Sequence, residues 1–265
     1  DTAIFNISQE TSGFIFFTKM IQIDNITKVF QDPKTEVLDR INLHIKEGEF
    51  ISIFGPNGCG KTTLLYIIAG VVAPTQGSVL INDSHPRKSD VGFIFQNYSE
   101  ALFPWRSVIK NVEFGMETRN IDKRKRRKIA ESLLKKTNLF KYKDRYIYQL
   151  SGGMKQLTAI CRALAYNPGV LLLDEPFSSL DYSIARKMEM ELLRIWEETK
   201  KTTILVSHNA DEAVLLADRV IVLSERPARI KGIVDVELPR PRNLDMLFSR
   251  EFFETRNKVL RLFGR

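Results

Sequence analysis

Cysteine is nearly absent from the chain, which holds only Cys59 and Cys161. Two thiols cannot build a disulfide framework, and their scarcity points to a reducing compartment. His44, His85 and His208 are scattered, with no metal-ligand spacing among them. No apolar run approaches the length of a membrane span. Internal repeats and long low-complexity linkers are also missing. What is present suits a folded domain: 265 residues, 43% hydrophobic and 27% charged, enough for a sizeable core. The net charge of +8 fits nucleic acid, anionic lipid or phosphate ligands and does not choose among them.

The opening stretch "DTAIFNISQETSGFIFFTK" has a short apolar piece with no basic segment before it, so a secretory signal is not expected. Residues 1–19 read as an extension of uncertain status, with the domain starting near Met20. From there "IQIDNI", "INLHI" and "FISIF" read as strands, and "EGE" before the last reads as a tight hairpin connection. Residues 61–69 are apolar nearly all round and predict a buried helix. "GSVLI" and "VGFIF" are further strands. Residues 107–166 turn helical and charged. From Val170 onward "VLLLD", "TILVS" and "RVIVL" alternate with helical segments. Such alternation predicts an α/β core with a mostly parallel sheet covered on both faces, interrupted by a helical insertion. The basic run "KRKRR" at 123–127 reads as the solvated face of a helix, with anion binding as the sharper reading. The tail "REFFETRNKVLRLFGR" reads as packing on its own domain, with membrane contact as the other reading.

The first motif with chemistry is "GPNGCGKT". Gly55, Pro56, Asn57, Gly58, Cys59, Gly60, Lys61 and Thr62 fit G-x-x-x-x-G-K-[ST], after an apolar strand and opening a helix. Glycines let the backbone wrap phosphate and aim N–H groups inward, and the helix N-terminus adds favourable partial charge. Lys61 can reach the β and γ phosphates of a bound nucleotide such as ATP, and the Thr62 hydroxyl can ligate Mg²⁺. Cys59 should turn its backbone, not its thiol, toward phosphate. The helix N-terminus is expected to make that thiol reactive, with maleimide inactivating the protein and ATP protecting it.

The second is "VLLLDEP", an apolar strand ending in Asp174 and Glu175. Alternation along a strand sends the two carboxylates different ways. Asp174 is assigned to Mg²⁺ and Glu175 to polarising the attacking water. The third is "LSGGMKQL" at 150–157. Ser151 can cap the helix that follows or turn its hydroxyl to a phosphate, and Gly152 and Gly153 let an anion approach the helix N-terminus.

Taken together, the chain resembles the ATP-binding subunit of ATP-binding-cassette (ABC) transporters, from about Met20 to the end. Six elements carry the resemblance in family order: "GPNGCGKTT" through Thr63, Gln96 in "FIFQN", "LSGGMKQ", "LLLDEP", "SSLD" ending at Asp181, and His208 in "LVSHN". "LFPWRSV" and "ERPARIKGIVDVELPRPRN" are similar to the nitrate/sulfonate/taurine import ATPases, and Phe177 in "DEPF" leans toward importers. Departures are Met154, Lys155 and Leu157, where glutamine or arginine is usual, and Phe30 near the place of an adenine-stacking tyrosine. Phe30 reads either as that stacking ring or as a core residue.

The resemblance implies a P-loop NTPase core with an N-terminal antiparallel β subdomain and an inserted α-helical subdomain. Residues 20–96 and 168–240 would form the α/β core with its β subdomain, 97–167 the helical subdomain, and 241–265 a C-terminal helical tail. It implies head-to-tail homodimers in which Ser151, Gly152 and Gly153 complete the partner's ATP site, with Asp181 a further nucleotide-binding residue. His208 would touch the γ phosphate and orient water, and Gln96 would contact Mg²⁺ or the water. Membrane permease subunits would dock around residues 97–107, where Phe103 and Trp105 are either anchors or buried in the helical subdomain. An external solute-binding protein would deliver the cargo, no nucleic acid is expected, and the chain would sit on the cytoplasmic face of the membrane. A non-transport ABC ATPase is disfavoured by the short segment between Gln96 and the signature. A non-hydrolysing regulatory module is disfavoured by intact Glu175 and His208. An exporter, or an importer for another substrate, is the closest rival.

Overall fold

The computed structural model describes residues 19–86 and 91–264. The expectation for residues 1–18 lies outside the described residues.

Two sheets organise the chain. β1 (Lys19–Gln31) and β2 (Lys34–Lys46) form a long antiparallel hairpin closed at Asp32 and Pro33. β4 (Gln76–Ile81) pairs on the other side of β1, giving a three-stranded antiparallel sheet of order β2-β1-β4. Along β2, residues 39–46 alternate between buried and exposed, as one face of a sheet on a core requires.

The second sheet has order β5-β6-β7-β3-β8-β9, from β3 (Phe50–Phe54), β5 (Val91–Ile94), β6 (Val170–Asp174), β7 (Thr202–Ser207), β8 (Arg219–Leu223) and β9 (Ile230–Asp235). All its pairings are parallel except the edge pair β8·β9. Every residue of β3, β6 and β7 is buried, which explains why they read as unbroken apolar runs. One core cluster lies between this sheet and the antiparallel sheet, including α1 (Lys61–Ile68). The other joins the opposite face of the large sheet to the helices.

The "EGE" expectation is corrected. Glu47, Gly48 and Glu49 do not close a hairpin, because β3 pairs with β7 and β8 and never with β2. They turn a corner between the two sheets. Gly48 N donates to Thr202 Oγ1 at 2.9 Å, Lys46 N donates to Glu49 Oε2 at 2.8 Å, and Arg219 pairs with Glu49. Three residues flanked by strands look alike from sequence whether or not those strands pair.

Helices α2 (Tyr98–Ala101), α3 (Val108–Glu117), α4 (Lys123–Lys136) and α5 (Gly152–Leu164) fill the stretch between β5 and β6. Asp122 caps α4 by accepting from Arg124 N and Lys125 N. Lys123, Arg124 and Lys125 are exposed, while Arg127 pairs with Glu131 at 3.0 Å and Arg126 approaches Glu117 at 3.7 Å. This is the pattern of a solvated, charge-paired helix face. α6 (Tyr182–Thr199) and α7 (Ala210–Leu216) flank the large sheet. The final helix, α8 (Arg250–Phe263), buries Phe252 and Val259 and sets the Phe263 ring edge-on to Phe54 at 5.2 Å. Among the described residues no helix is long and apolar enough to cross a membrane.

Candidate functional site

The loop between β3 and α1 requires glycine at one position above all. Gly60 has φ +124°, and a Cβ there would lie 2.7 Å from Val37 Cγ1. Any side chain would meet both strain and a clash with β2. From this turn Lys61 opens α1 with its side chain only 4% exposed. Its ammonium donates to Gly55 O and Pro56 O, both at 3.0 Å, and lies 3.7 Å from Glu175 Oε1.

β6 lies two strands from β3, and its carboxyl end brings the acid pair to the same place. Thr62 Oγ1 donates to Asp174 Oδ1 at 3.0 Å. Burial raises the Asp174 carboxyl above its ordinary range; the Thr62 hydroxyl opposes this, and the Glu175 charge adds to it. Glu175 has the left-handed φ of +43° and is pinned by its N–H donating to Val206 O at 3.1 Å. Such a conformation is unusual for a non-glycine residue and stores strain at a site over-determined by its neighbours. Glu175 thereby turns away from Asp174 and puts Oε2 2.8 Å from His208 Nδ1.

Asn57, Gly58, Gly60, Lys61, Thr62, Thr63, Gln96, Glu175 and Arg226 line one cleft of about 370 Å³. Gln96 is exposed and reaches it from just beyond β5. Pro56 and Asn57 also border a neighbouring hollow with His208 and the C-terminal helix.

The Cys59 thiol does not behave as the sequence reading expected. It is 2% exposed and belongs to the core under the loop, with Sγ 3.3 Å from where a Gly55 Cβ would stand. Burial raises its pKa, and the opposing pull of Lys61, backbone N–H groups and Arg226 is smaller. The expectation of a reactive, ATP-protected thiol is therefore corrected. Desolvation outweighs the helix N-terminus.

The serine–glycine stretch sits elsewhere. Ser151 caps α5, accepting from Met154 N at a long 3.4 Å, and both it and Gly152 are exposed. Neither lines the cleft with Lys61. Gly153 is buried, and a Cβ there would contact Met188 Sδ at 3.4 Å and Ile184 Cγ2 at 3.5 Å. These are ordinary van der Waals distances, so Gly153 sits against α6 without a clash that would demand glycine. Asp181 is the exposed N-terminal flank of α6 and makes no side-chain cap bond. Phe30 is 41% exposed at the closed end of the β1·β2 hairpin, with Lys28 Nζ 4.8 Å from its ring centre. That exposure excludes the core reading, although Phe30 is not among the residues lining the cleft. Phe103 and Trp105 divide between their two readings. Phe103 is half-buried against Phe114, with ring centres 4.6 Å apart, whereas Trp105 is 72% exposed.

Three contributors escaped the sequence reading. Gln156 is fully buried and donates from Nε2 to Pro176 O at 2.9 Å, tying α5 to the turn after Glu175. Glu212 is buried beside Ser207 and His208, and burial, with the Glu189 charge adding, pushes its carboxyl well above the ordinary range. Arg226 enters the cleft from the loop after β8. Gln156 lies in "LSGGMKQ" and Arg226 in "ERPARIKGIVDVELPRPRN", both stretches that carry the resemblance, whereas Glu212 lies in neither.

With this geometry in hand, comparison with known proteins is decisive. The family model described as ABC transporter matches residues 38–178. The chain belongs to the ABC transporter ATP-binding family. An uncharacterised ABC transporter ATP-binding protein of Methanocaldococcus jannaschii is 47% identical, over 91% of this chain and 90% of its own length. The taurine import ATP-binding protein of Ruegeria pomeroyi is 42% identical, over 79% of this chain and 80% of its own. A dimeric ATP-binding cassette solved in a post-hydrolysis state with ADP and Pi superposes with a TM-score of 0.72 at 32% identity. It covers 83% of this ABC cassette, which spans all of that one.

Proposed function

We propose that the chain powers an ABC importer for a small sulfonate- or nitrate-like solute. The chain is an ABC-type ATPase. The observation that carries its chemistry is the convergence of Lys61, Thr62 and Glu175 on one cleft, with Asp174 bonded to Thr62 and His208 bonded to Glu175. Lys61 balances phosphate charge, Glu175 takes a proton from the attacking water, and His208 holds the Glu175 carboxylate and faces the γ phosphate. Gln96 reaches the same cleft and senses its occupancy.

Mg²⁺ fits this site. Thr62 Oγ1 and Asp174 Oδ1 are hard oxygen donors 3.0 Å apart, and Gln96 adds an amide oxygen to the same cleft. Among the described residues no group of three His, Cys, Asp or Glu side chains could cage a metal. Few protein ligands plus substrate phosphates is the usual arrangement for Mg²⁺. Bound there, the ion would neutralise charge on the transferred phosphate.

A second copy of the chain completes each site. Support comes from the exposure of Ser151, Gly152 and Asp181 away from the cleft lined by Lys61, a placement suited to another chain's ATP. The permease partner is assigned to residues 97–107. Trp105 is 72% exposed there, and Tyr146 and Tyr148 stack in parallel nearby at 5.7 Å, with Tyr146 bridged to Ser107. Exposed aromatics of this kind anchor partners. An external solute-binding protein would set cargo specificity, and the chain would work at the cytoplasmic face. No nucleic-acid role is proposed.

The test is to purify the chain with its permease subunits and binding protein and measure phosphate release with candidate solutes. Acceleration by taurine or another sulfonate, or by nitrate, supports the importer reading. Acceleration by none of them, with a solute outside this class active instead, contradicts the substrate class. Trp105→Ala should reduce copurification with the permease.

A further inference from the structure

The stretch "ERPARI" after β8 has no part in the phosphate-loop chemistry above. Its position is dictated by the sheet. β8 runs parallel to β3, with Phe54 opposite Val222, so the loops leaving their carboxyl ends lie side by side. The loop after β8 is firmly held. Ser224 N donates to Arg229 O and Arg229 N to Ser224 Oγ, both at 2.9 Å. Ala228 is buried, donates to Val37 O at 2.9 Å and accepts from Asp39 N at 3.0 Å. Arg229 pairs with Asp39, donating from Nε to Oδ2 at 2.6 Å.

Arg226 stands at the tip of this braced loop and does something different. Its guanidinium turns over the phosphate loop, with Nη2 3.9 Å from where a Cβ on Gly58 would stand. It lines the same cleft as Lys61, Thr62, Thr63 and Gln96. Among the described residues it has no hydrogen-bond or ion-pair partner. Lys61, by contrast, already donates to two loop carbonyls. An unpaired guanidinium aimed into a phosphate cleft is a ready bidentate ligand for phosphate oxygens.

We propose that Arg226 is a nucleotide-binding residue that grips the polyphosphate from the side opposite Gln96's strand, as a second cation beside Lys61. This inference rests on the phosphate-loop reading. It predicts that the loop after β8, not only the loop after β3, sets affinity for a nucleoside di- or triphosphate.

The test titrates the full chain with a fluorescent ATP analogue and Mg²⁺ across a salt series, for wild type, Arg226→Ala, Arg226→Lys and Lys61→Ala. Arg226→Ala should raise Kd about tenfold to about 150-fold, the range for a charged hydrogen bond to phosphate. Its Kd should also depend less steeply on salt. Arg226→Lys should recover part of the loss. Wild-type Kd in Arg226→Ala, with binding lost in Lys61→Ala, overturns the role of Arg226 alone. Wild-type Kd in both variants overturns the phosphate-loop reading as well. Equal weakening in Arg226→Ala and Arg226→Lys, with the melting temperature lowered in both, would mean that the residue only braces the loop, which also overturns the inference.

Discussion

His208 Nδ1 lies 2.8 Å from Glu175 Oε2, across 33 residues of sequence. β6 and β7 are neighbours in the sheet, so the residues that follow them emerge side by side. The positive φ of Glu175 then turns its carboxylate toward the imidazole. A hydrogen bond of this length fixes the orientation of the Glu175 carboxylate. His208→Ala should slow turnover about a hundredfold or more while affecting ATP affinity far less. Steady-state phosphate release beside an equilibrium titration of ATP checks both.

The exposed placement of Ser151 predicts a variant that separates binding from turnover. Ser151→Arg should leave ATP binding to the single chain close to wild type and abolish hydrolysis, because the bulky cation would block the partner's nucleotide. Loss of ATP binding in the isolated chain would mean that Ser151 serves its own chain's site.

Glu212 gives a pH dependence with a definite sign. Its carboxyl is buried, and burial, with the Glu189 charge adding, raises its pKa well above the ordinary value; the Ser207 hydroxyl and Arg186 oppose this. The folded chain therefore keeps a proton there that the unfolded chain releases near pH ~4.3. The stability tied to this proton is fully present below that pH and is lost as pH rises through the folded-state pKa. Glu212→Gln keeps the neutral shape without the titration. Its melting temperature should fall less than the wild type's as pH is raised above the ordinary carboxylate range. Parallel melting curves for the two proteins would contradict this.

The cysteines supply a cheap check on packing. Cys59 and Cys161 are both buried, and burial pushes the Cys161 thiol up to about 12. Maleimide should label neither in the native chain, with or without ATP, and both after unfolding. Mass spectrometry reads the count directly. Rapid native labelling of Cys59 would contradict the burial.

What the sequence disclosed and what it hid have a common physical cause. Residues 55–62 and Asp174–Glu175 are each contiguous at a strand end, so local pattern alone displays their chemistry. Arg226 and Glu212 join the site only because β8 lies beside β3 and α7 follows β7, which no local pattern states. The Cys59 thiol departs from expectation because a helix N-terminus is visible in sequence, whereas burial in the core under the loop is not. The "EGE" corner shows the same limit, since turn residues announce a change of direction without naming the sheet that follows.

Phosphate release from ATP by wild type and Glu175→Gln, with ATP affinity measured on the same samples, tests the central claim most directly. Removing the base should slow release about a hundredfold to ten-thousandfold while ATP binding is kept. Release from Glu175→Gln at the wild-type rate would contradict the assignment of the catalytic base and, with it, this account of the site.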